Sequence, residues 1–341
     1  MTVVVINDTR VDRHHGCNSV MTAVVSLLAS NGLKSVRFWP AHLEWQDDAR
    51  FDAALAAARL VVINGEGTIH HNRLAGRRLL EAGTYAKAAG IPVALINTGW
   101  EDNGPDFLAM LNHFDLVAAR DSRSAEQMAL SGARVRVVPD LSLWHVNNQT
   151  SAKYLHPRAG IGFTDNVNRF KMLELMRLRR TCQGKSLSIC YSKKNPSGWA
   201  QFLRDGISVR EDLTQPALLA ALLRARHELW QRSTHDTNAF IDQVANLELL
   251  VSGRFHACTL ALATGTPIIA NSSNTGKIAA LFHDAGIEEW RGALHLDAEV
   301  VSEARARGWS ASERDNLRAY LSSATQASEA MFSDLSNLAT R

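Results

Sequence analysis

Short apolar runs recur along the chain. Each is followed by a glycine or polar loop and then by a stretch with helical spacing. In the first 145 residues these runs are Val3–Asn7, Val36–Trp39, Leu60–Asn64, Pro92–Asn97, Leu116–Ala119 and Val135–Val138. Helices are predicted after the first strand, with Asn18 or Ser19 as cap and Gly32 as stop, over 72–89, and from Ser122. Near-continuous apolar strands separated by helices indicate a parallel sheet covered on both faces. Residues 146–158 are polar and aperiodic and read as a linker. A second alternation follows: strands at Gly160–Phe163, Leu187–Cys190, 248–251 and Pro267–Ala270, with helices at 168–180, 217–231, 237–246, 256–264 and from Gly276. The last thirty residues have helical spacing and form a tail that could pack on either domain.

The chain has 341 residues, too many for one ordinary core and enough for two. Two open parallel sheets make a bilobal α/β protein, in which ligands bind outside the carboxyl ends of the strands. A net charge of +3 argues against a protein that coats nucleic acid. None of Cys17, Cys182, Cys190 and Cys258 forms a CxxC pair, so neither a structural zinc site nor a disulfide scaffold is expected. The four loop histidines and Glu66 match no specific metal spacing, and no metal or cofactor is expected. MTVVVINDTR reads as a first strand, not a signal peptide, and no apolar run is long enough to span a bilayer. The expectation is a cytoplasmic protein with reduced thiols.

The chemistry should therefore lie in loops that follow strands. Gly65-Glu66-Gly67-Thr68 follows LVVIN, and its glycines allow a tight turn and close approach to a ligand. Glu66 repels phosphate; it is either a local cap or a general base for a sugar hydroxyl. His70 and His71 come next, and Asn97 ends another strand. His14-His15-Gly16-Cys17-Asn18 lies after the first strand, where His15 could reach a ligand. Arg120 stands at the carboxyl end of LVAA, suited to grip a carboxylate or phosphate, while Ser122 or Ser124 caps the following helix beside Asp121. Ser252-Gly253-Arg254-Phe255-His256 is the strongest candidate. Guanidinium, imidazole and the amides of a helix N-terminus coincide there, and Lys277 opens the neighbouring loop.

These residues resemble a family. SGRFHACTLALATGTPIIA with downstream Lys277 is similar to the S-R-x-H, small-residue helix, G-x-P and lysine signature of polysaccharide pyruvyl transferases. VAARDSRSAEQMALSGARVRVVPD resembles that family's R-D-x-x-S helix and V-x-P-D, and INGEGT stands where the family has a glycine-rich loop. The matches keep the family's order to about residue 285. The resemblance implies two Rossmann-like domains with parallel sheets, as in GT-B glycosyltransferases. The first, over 1–145, lies on the acceptor side. The second, over 159–341, lies on the donor side and carries the terminal helix.

The resemblance also implies phosphoenolpyruvate as donor and no cofactor. The acceptor would be a sugar of a bacterial surface polysaccharide or its lipid-linked oligosaccharide precursor, which admits peripheral association with the inner face of the membrane. Arg120, Arg254, His256 and Lys277, with Ser252 and Gly253, become the donor site. His256 is then an acid or a phosphate ligand, and Glu66 or His15 accepts the hydroxyl proton. Asn18, Gly65, Gly67, His70 and Asn97 fall on the acceptor side. Glu66 replaces a family glycine, and HHGCN departs from the usual first loop. Those departures keep open a GT-B glycosyltransferase using a CMP-linked sugar, with Glu66 as base and His156-Pro157 holding the nucleotide. A non-catalytic anion-binding protein is the third reading. The acceptor sugar and the oligomeric state are left open.

Overall fold

A computed structural model describes residues 1–150, 157–191, 220, 224, 234–271, 276–292 and 295–341. The helix expected at 217–231 falls almost wholly outside them, as do His156 and residues 151–155 of the expected linker. The chain divides into two compact units. One comprises Met1–Asp12, Cys17–Asn148 and Ala319–Arg341, the other Arg13–Gly16 and Gln149–Arg318. Each is built on its own parallel sheet.

In the first unit six strands lie in the order β2-β1-β3-β4-β5-β6: β1 (Thr2–Asp8), β2 (Ser35–Pro40), β3 (Ala58–His70), β4 (Val93–Glu101), β5 (Leu116–Ala119) and β6 (Val135–Val137). All the pairings are parallel. Alternate residues face opposite ways in a strand, yet both sets are apolar here. Val3, Val5, Leu60 and Val62 pack with Val20, Val24 and Leu28 of α1 (His15–Ser30). Val4, Ile6, Val61 and Ile63 pack with Phe51 of α2 (Ala49–Ala56) and Leu80 of α3 (Leu74–Ala88). Burial on both faces explains the unbroken apolar runs. The remaining helices of this unit are α4 (Pro105–Met110), α5 (Ser122–Ala129) and α6 (Leu141–Thr150).

The second sheet has the order β10-β9-β7-β8: β7 (Ile161–Asn166), β8 (Lys185–Ser186), β9 (Leu249–Gly253) and β10 (Ile268–Ala270). It also is parallel. Among the described residues its helices are α7 (Arg169–Thr181), α8 (Thr237–Ala245), α9 (Phe255–Ala263), α10 (Lys277–Asp284) and α11 (Ala298–Arg307). The terminal α12 (Ala311–Ala339) follows.

The structure departs from the sequence expectations in several places. Residues 319–341 count with the first unit because Met331, Phe332, Leu335 and Ala339 bury in the core that holds Val3 and Val5. Arg13–Gly16 counts with the second because its backbone pairs there: His15 N–H donates to Ile189 O and Tyr191 N–H to Arg13 O. That pairing lets α1 start at His15, so Asn18 and Ser19 lie inside its first turn rather than capping it. The strand expected at Leu187–Cys190 is β8 at Lys185–Ser186, and Cys190 instead forms a lone antiparallel bridge with His14. Residues 146–150 are the end of α6, not linker.

Candidate functional site

Each sheet has one place where chain order reverses: between β1 and β3 in the first, between β7 and β9 in the second. In open α/β sheets ligands bind outside the carboxyl ends at such switch points. Polar residues cluster at both.

At the first, Asn7 ends β1 with φ 67°, Glu66 bulges from β3 with φ 48° and Asn97 sits in β4 with φ 54°. A left-handed backbone is costly for residues other than glycine and marks sites where the surroundings enforce it. The enforcement is a buried amide chain. Asn7 Nδ2 donates to Asn64 O at 2.6 Å, Asn64 Nδ2 to Asn7 O at 3.3 Å, and Asn97 Nδ2 to Asn64 Oδ1 at 3.2 Å. Asn97 Oδ1 in turn accepts the Leu141 amide at 3.1 Å. The glycine turn expected at Gly65–Thr68 is instead a bulge within β3. Pairing with β4 runs to Glu66↔Thr98, slips, and resumes at Ile69↔Trp100. Gly65 is required there, since a Cβ would stand 2.3 Å from Thr98 Oγ1.

The bulge turns Glu66 inward. It is 5% exposed and accepts the Thr9 hydroxyl at 2.9 Å. Arg120, at the end of β5, donates to Asp140 at 3.4 Å, and both are buried. Its guanidinium reaches within 3.4 and 2.9 Å of where Cβ atoms on Gly67 and Gly99 would stand. Asp121 itself caps α5, accepting the Ser124 amide at 2.7 Å, in place of the serines expected to do so. His70 is not in a loop but at the end of β3, where its Nδ1 lies 2.9 Å from His71 Nδ1.

At the second switch point Arg254 is the N-cap residue of α9 and forms a two-point ion pair with Asp165 at the end of β7. Its Nε donates to Oδ1 at 2.8 Å and its Nη2 to Oδ2. Burial alone would lower the Arg254 pKa, but Asp165 outweighs it and holds the pKa above its usual value. Ser252 accepts the Arg254 amide at 3.0 Å and meets Thr164 at 2.6 Å. Gly253 pairs with Asn166, whose amide reaches Asn271 at 2.8 Å.

His256, in the first turn of α9, is 8% exposed, and the His14 ring packs edge-on to it at 5.2 Å. Gly16 makes this possible, because a Cβ there would lie 2.1 Å from His256 Cβ. Burial pushes the His14 pKa well below the usual imidazole value, and the charges of His256, Arg254, His15 and Lys277 push it further. Lys277 opens α10. Burial also raises the neighbouring Cys258 thiol to about 12, although Ser252 and Lys277 pull the other way.

The expected donor set thus divides. Arg254, His256, Lys277, Ser252 and Gly253 belong to the second unit, whereas Arg120 belongs with Glu66, Gly65, Gly67 and Asn97 in the first. His15, expected at the reacting centre, is wholly buried instead. It stacks on Phe240 at 4.5 Å, lies against Tyr191 at 4.9 Å, and places Nδ1 3.1 Å from Thr237 Oγ1. Burial lowers its pKa to about 4. Asn18 is half-buried in α1, and its carbonyl accepts the Thr22 hydroxyl at 2.7 Å. Sequence reasoning named His14 in the HHGCN loop but favoured His15, and it missed Asp165, Asn166 and Asn271. The triplet Thr164-Asp165-Asn166 directly after an apolar run was the available signal.

A family model described as polysaccharide pyruvyl transferase matches residues 14–274. No curated protein matches the sequence. Among solved structures, the chain is similar to UDP-GlcNAc 2-epimerase from Neisseria meningitidis bound to UDP-GlcNAc. The TM-score is 0.53 at 9% identity, over 98% of this chain and 99% of that one. It is also similar to the S. aureus MnaA–UDP co-structure, with a TM-score of 0.54 at 12% identity over 97% and 94% of the two chains. The UDP-GlcNAc 2-epimerase of Methanocaldococcus jannaschii, in complex with UDP-GlcNAc and UDP, gives 0.52 at 11% identity over 90% and 92%. At such identities the likeness establishes a GT-B-like fold and nothing finer.

Proposed function

This chain belongs to the polysaccharide pyruvyl transferase family and is a transferase, and from that premise we propose that it moves pyruvate from phosphoenolpyruvate onto a sugar as a ketal. The observation that carries the reading is the corner at the β7/β9 switch point: Arg254, His256 and Lys277 beside the N-terminus of α9. Phosphoenolpyruvate bears a phosphate and a carboxylate on one small skeleton, and a fixed guanidinium, an ammonium and a helix N-terminus suit both groups.

One sugar hydroxyl adds across the enol double bond. Its oxygen bonds to the central carbon, and a proton goes to the methylene, which becomes the methyl group. A second hydroxyl then displaces the phosphate at the same carbon and closes the ketal; its proton leaves with inorganic phosphate. His256 serves as proton donor or as ligand of the leaving phosphate, and Glu66 receives a hydroxyl proton. Asp165 is a positioning residue, which fixes the Arg254 fork by gripping two of its nitrogens. The acceptor is a sugar of a surface polysaccharide or of its lipid-linked precursor, met in the cytoplasm at the inner face of the membrane. Among the described residues no helix is long and apolar enough to cross a membrane.

Ligand-induced thermal shift tests the donor. Ligand at one hundred times its Kd stabilises the native state by about 2.7 kcal/mol, so phosphoenolpyruvate should raise the melting temperature and CMP should not. A shift with CMP alone would replace this reading with nucleotide-sugar transfer, and no shift with either would leave a binding protein of another kind.

A further inference from the structure

The first unit contains a cavity of about 130 Å³ over the ends of β1 and β2, which shares Asn7 and Thr9 with the polar cluster at the β1/β3 switch point. We infer that it is a subsite for one neutral pyranose ring of the acceptor; the inference rests on reading the chain as a sugar-modifying enzyme.

Size is the first argument. A cavity of roughly 150 Å³ holds benzene, and this one is close to that volume, so it takes the ring of one pyranose only with its substituents directed outward. Lining chemistry is the second. The apolar part comes from Trp39, Trp45 and Leu79. Both indole N–H groups are already committed, Trp39 to Leu43 O at 3.2 Å and Trp45 to Arg78 O at 3.0 Å. The two rings can therefore offer carbon surface but no donor, which is what the C–H face of a sugar packs against. Asn7 Nδ2 and the Thr9 hydroxyl already donate to Asn64 and Glu66, so the oxygens of Asn7 and Thr9 face a sugar hydroxyl as acceptors, and Thr68 adds a further hydroxyl.

Charge is the third argument. Three charged side chains and one histidine line the cavity, and they pair among themselves: His42 Nε2 lies 2.7 Å from Asp12, and Arg78 bonds Glu44. A lining with two carboxylates and one permanent cation, itself bonded to Glu44, has little attraction for phosphate. Location is the fourth. Thr9 lines the cavity and donates its hydroxyl to Glu66, so one side chain separates the ring site from the proposed base.

The test uses the whole protein and the methyl pyranosides of glucose, galactose, mannose and N-acetylglucosamine at millimolar concentrations. Indole N–H signals of Trp39 and Trp45 are followed by NMR after assignment through Trp→Phe variants. At least one pyranoside should shift both signals saturably. Ala75→Phe, at an exposed position lining the cavity, should weaken that binding by roughly tenfold or more. Leu43→Arg, 41% exposed on the same lining, is a second blocking variant in case the first perturbs α3.

The inference falls if no pyranoside moves the two signals, if both folded variants bind as the wild type does, or if inorganic phosphate moves them at lower concentration. Thermal shift with phosphoenolpyruvate, read on the same samples, separates the two claims. Pyranoside binding without donor stabilisation removes the pyruvyl reading and leaves the subsite, and the reverse result removes the subsite alone.

Discussion

The two switch points use the same topological position for opposite electrostatics. At β7/β9 the chain gathers Arg254, His256 and Lys277 at helix starts and restrains Arg254 with Asp165. At β1/β3 it bends three non-glycine residues into left-handed backbone, buries a carboxylate and neutralises its arginine with Asp140. Each corner pairs its arginine with an aspartate, Arg254 with Asp165 and Arg120 with Asp140. The first adds the ammonium of Lys277, the second the buried carboxylate of Glu66. A doubly wound sheet fixes where chemistry happens, and the residues at strand ends decide which chemistry it is.

That contrast can be broken by a pair of variants. Glu66→Gln should lower kcat by roughly 10²–10⁴-fold, the usual worth of a general base, while phosphoenolpyruvate stabilises the protein as before. Arg254→Lys keeps the charge that Asp165 needs but loses the fork. Donor affinity should fall by roughly 10–100-fold, as expected for one charge-assisted hydrogen bond of about 1.5–3 kcal/mol, read by phosphoenolpyruvate titration. If Glu66→Gln abolished donor binding, or Arg254→Lys cut kcat with donor affinity intact, the division of labour would be the wrong one.

The smallest effect concerns His15 and sharpens the comparison through pH. Its folded pKa is about 4, below the ordinary 6.5. Between those values the unfolded chain binds a proton that the folded one refuses, so stability is complete above about pH 6.5 and is lost as pH falls toward 4. His14 shifts in the same direction. His15→Gln should flatten, not erase, the decline of melting temperature over that window. An unchanged slope would mean that His15 is protonated in the folded protein.

The strands were legible because burial on both faces turns them into unbroken apolar runs, as in LVVIN and LLVSG. The Arg254 corner was legible for a related reason: polar residues between an apolar strand and an apolar helix have few structural uses. Contacts between distant segments were not. Nothing in the local spacing of HHGCN separates His14, which meets His256, from His15, which is packed among Tyr191 and Phe240. Arg120 reads as an anion ligand from its strand-end position, and only the fold shows Asp140 waiting for it twenty residues on. The β3 bulge was hidden as well, since Gly-Glu-Gly is equally a turn and a slip of register until its partner strand is known.

The placement of α12 bears on how the protein is made. Val3, Val5 and Met21 share a core with Met331, Phe332 and Leu335. About 170 residues lie between Asn148 and Ala319, the two segments of that unit. At roughly 5–20 residues per second a ribosome needs about 10–35 s to cover the gap. Through that interval the nascent first sheet has one greasy flank open to solvent, so chaperone demand should peak midway through translation.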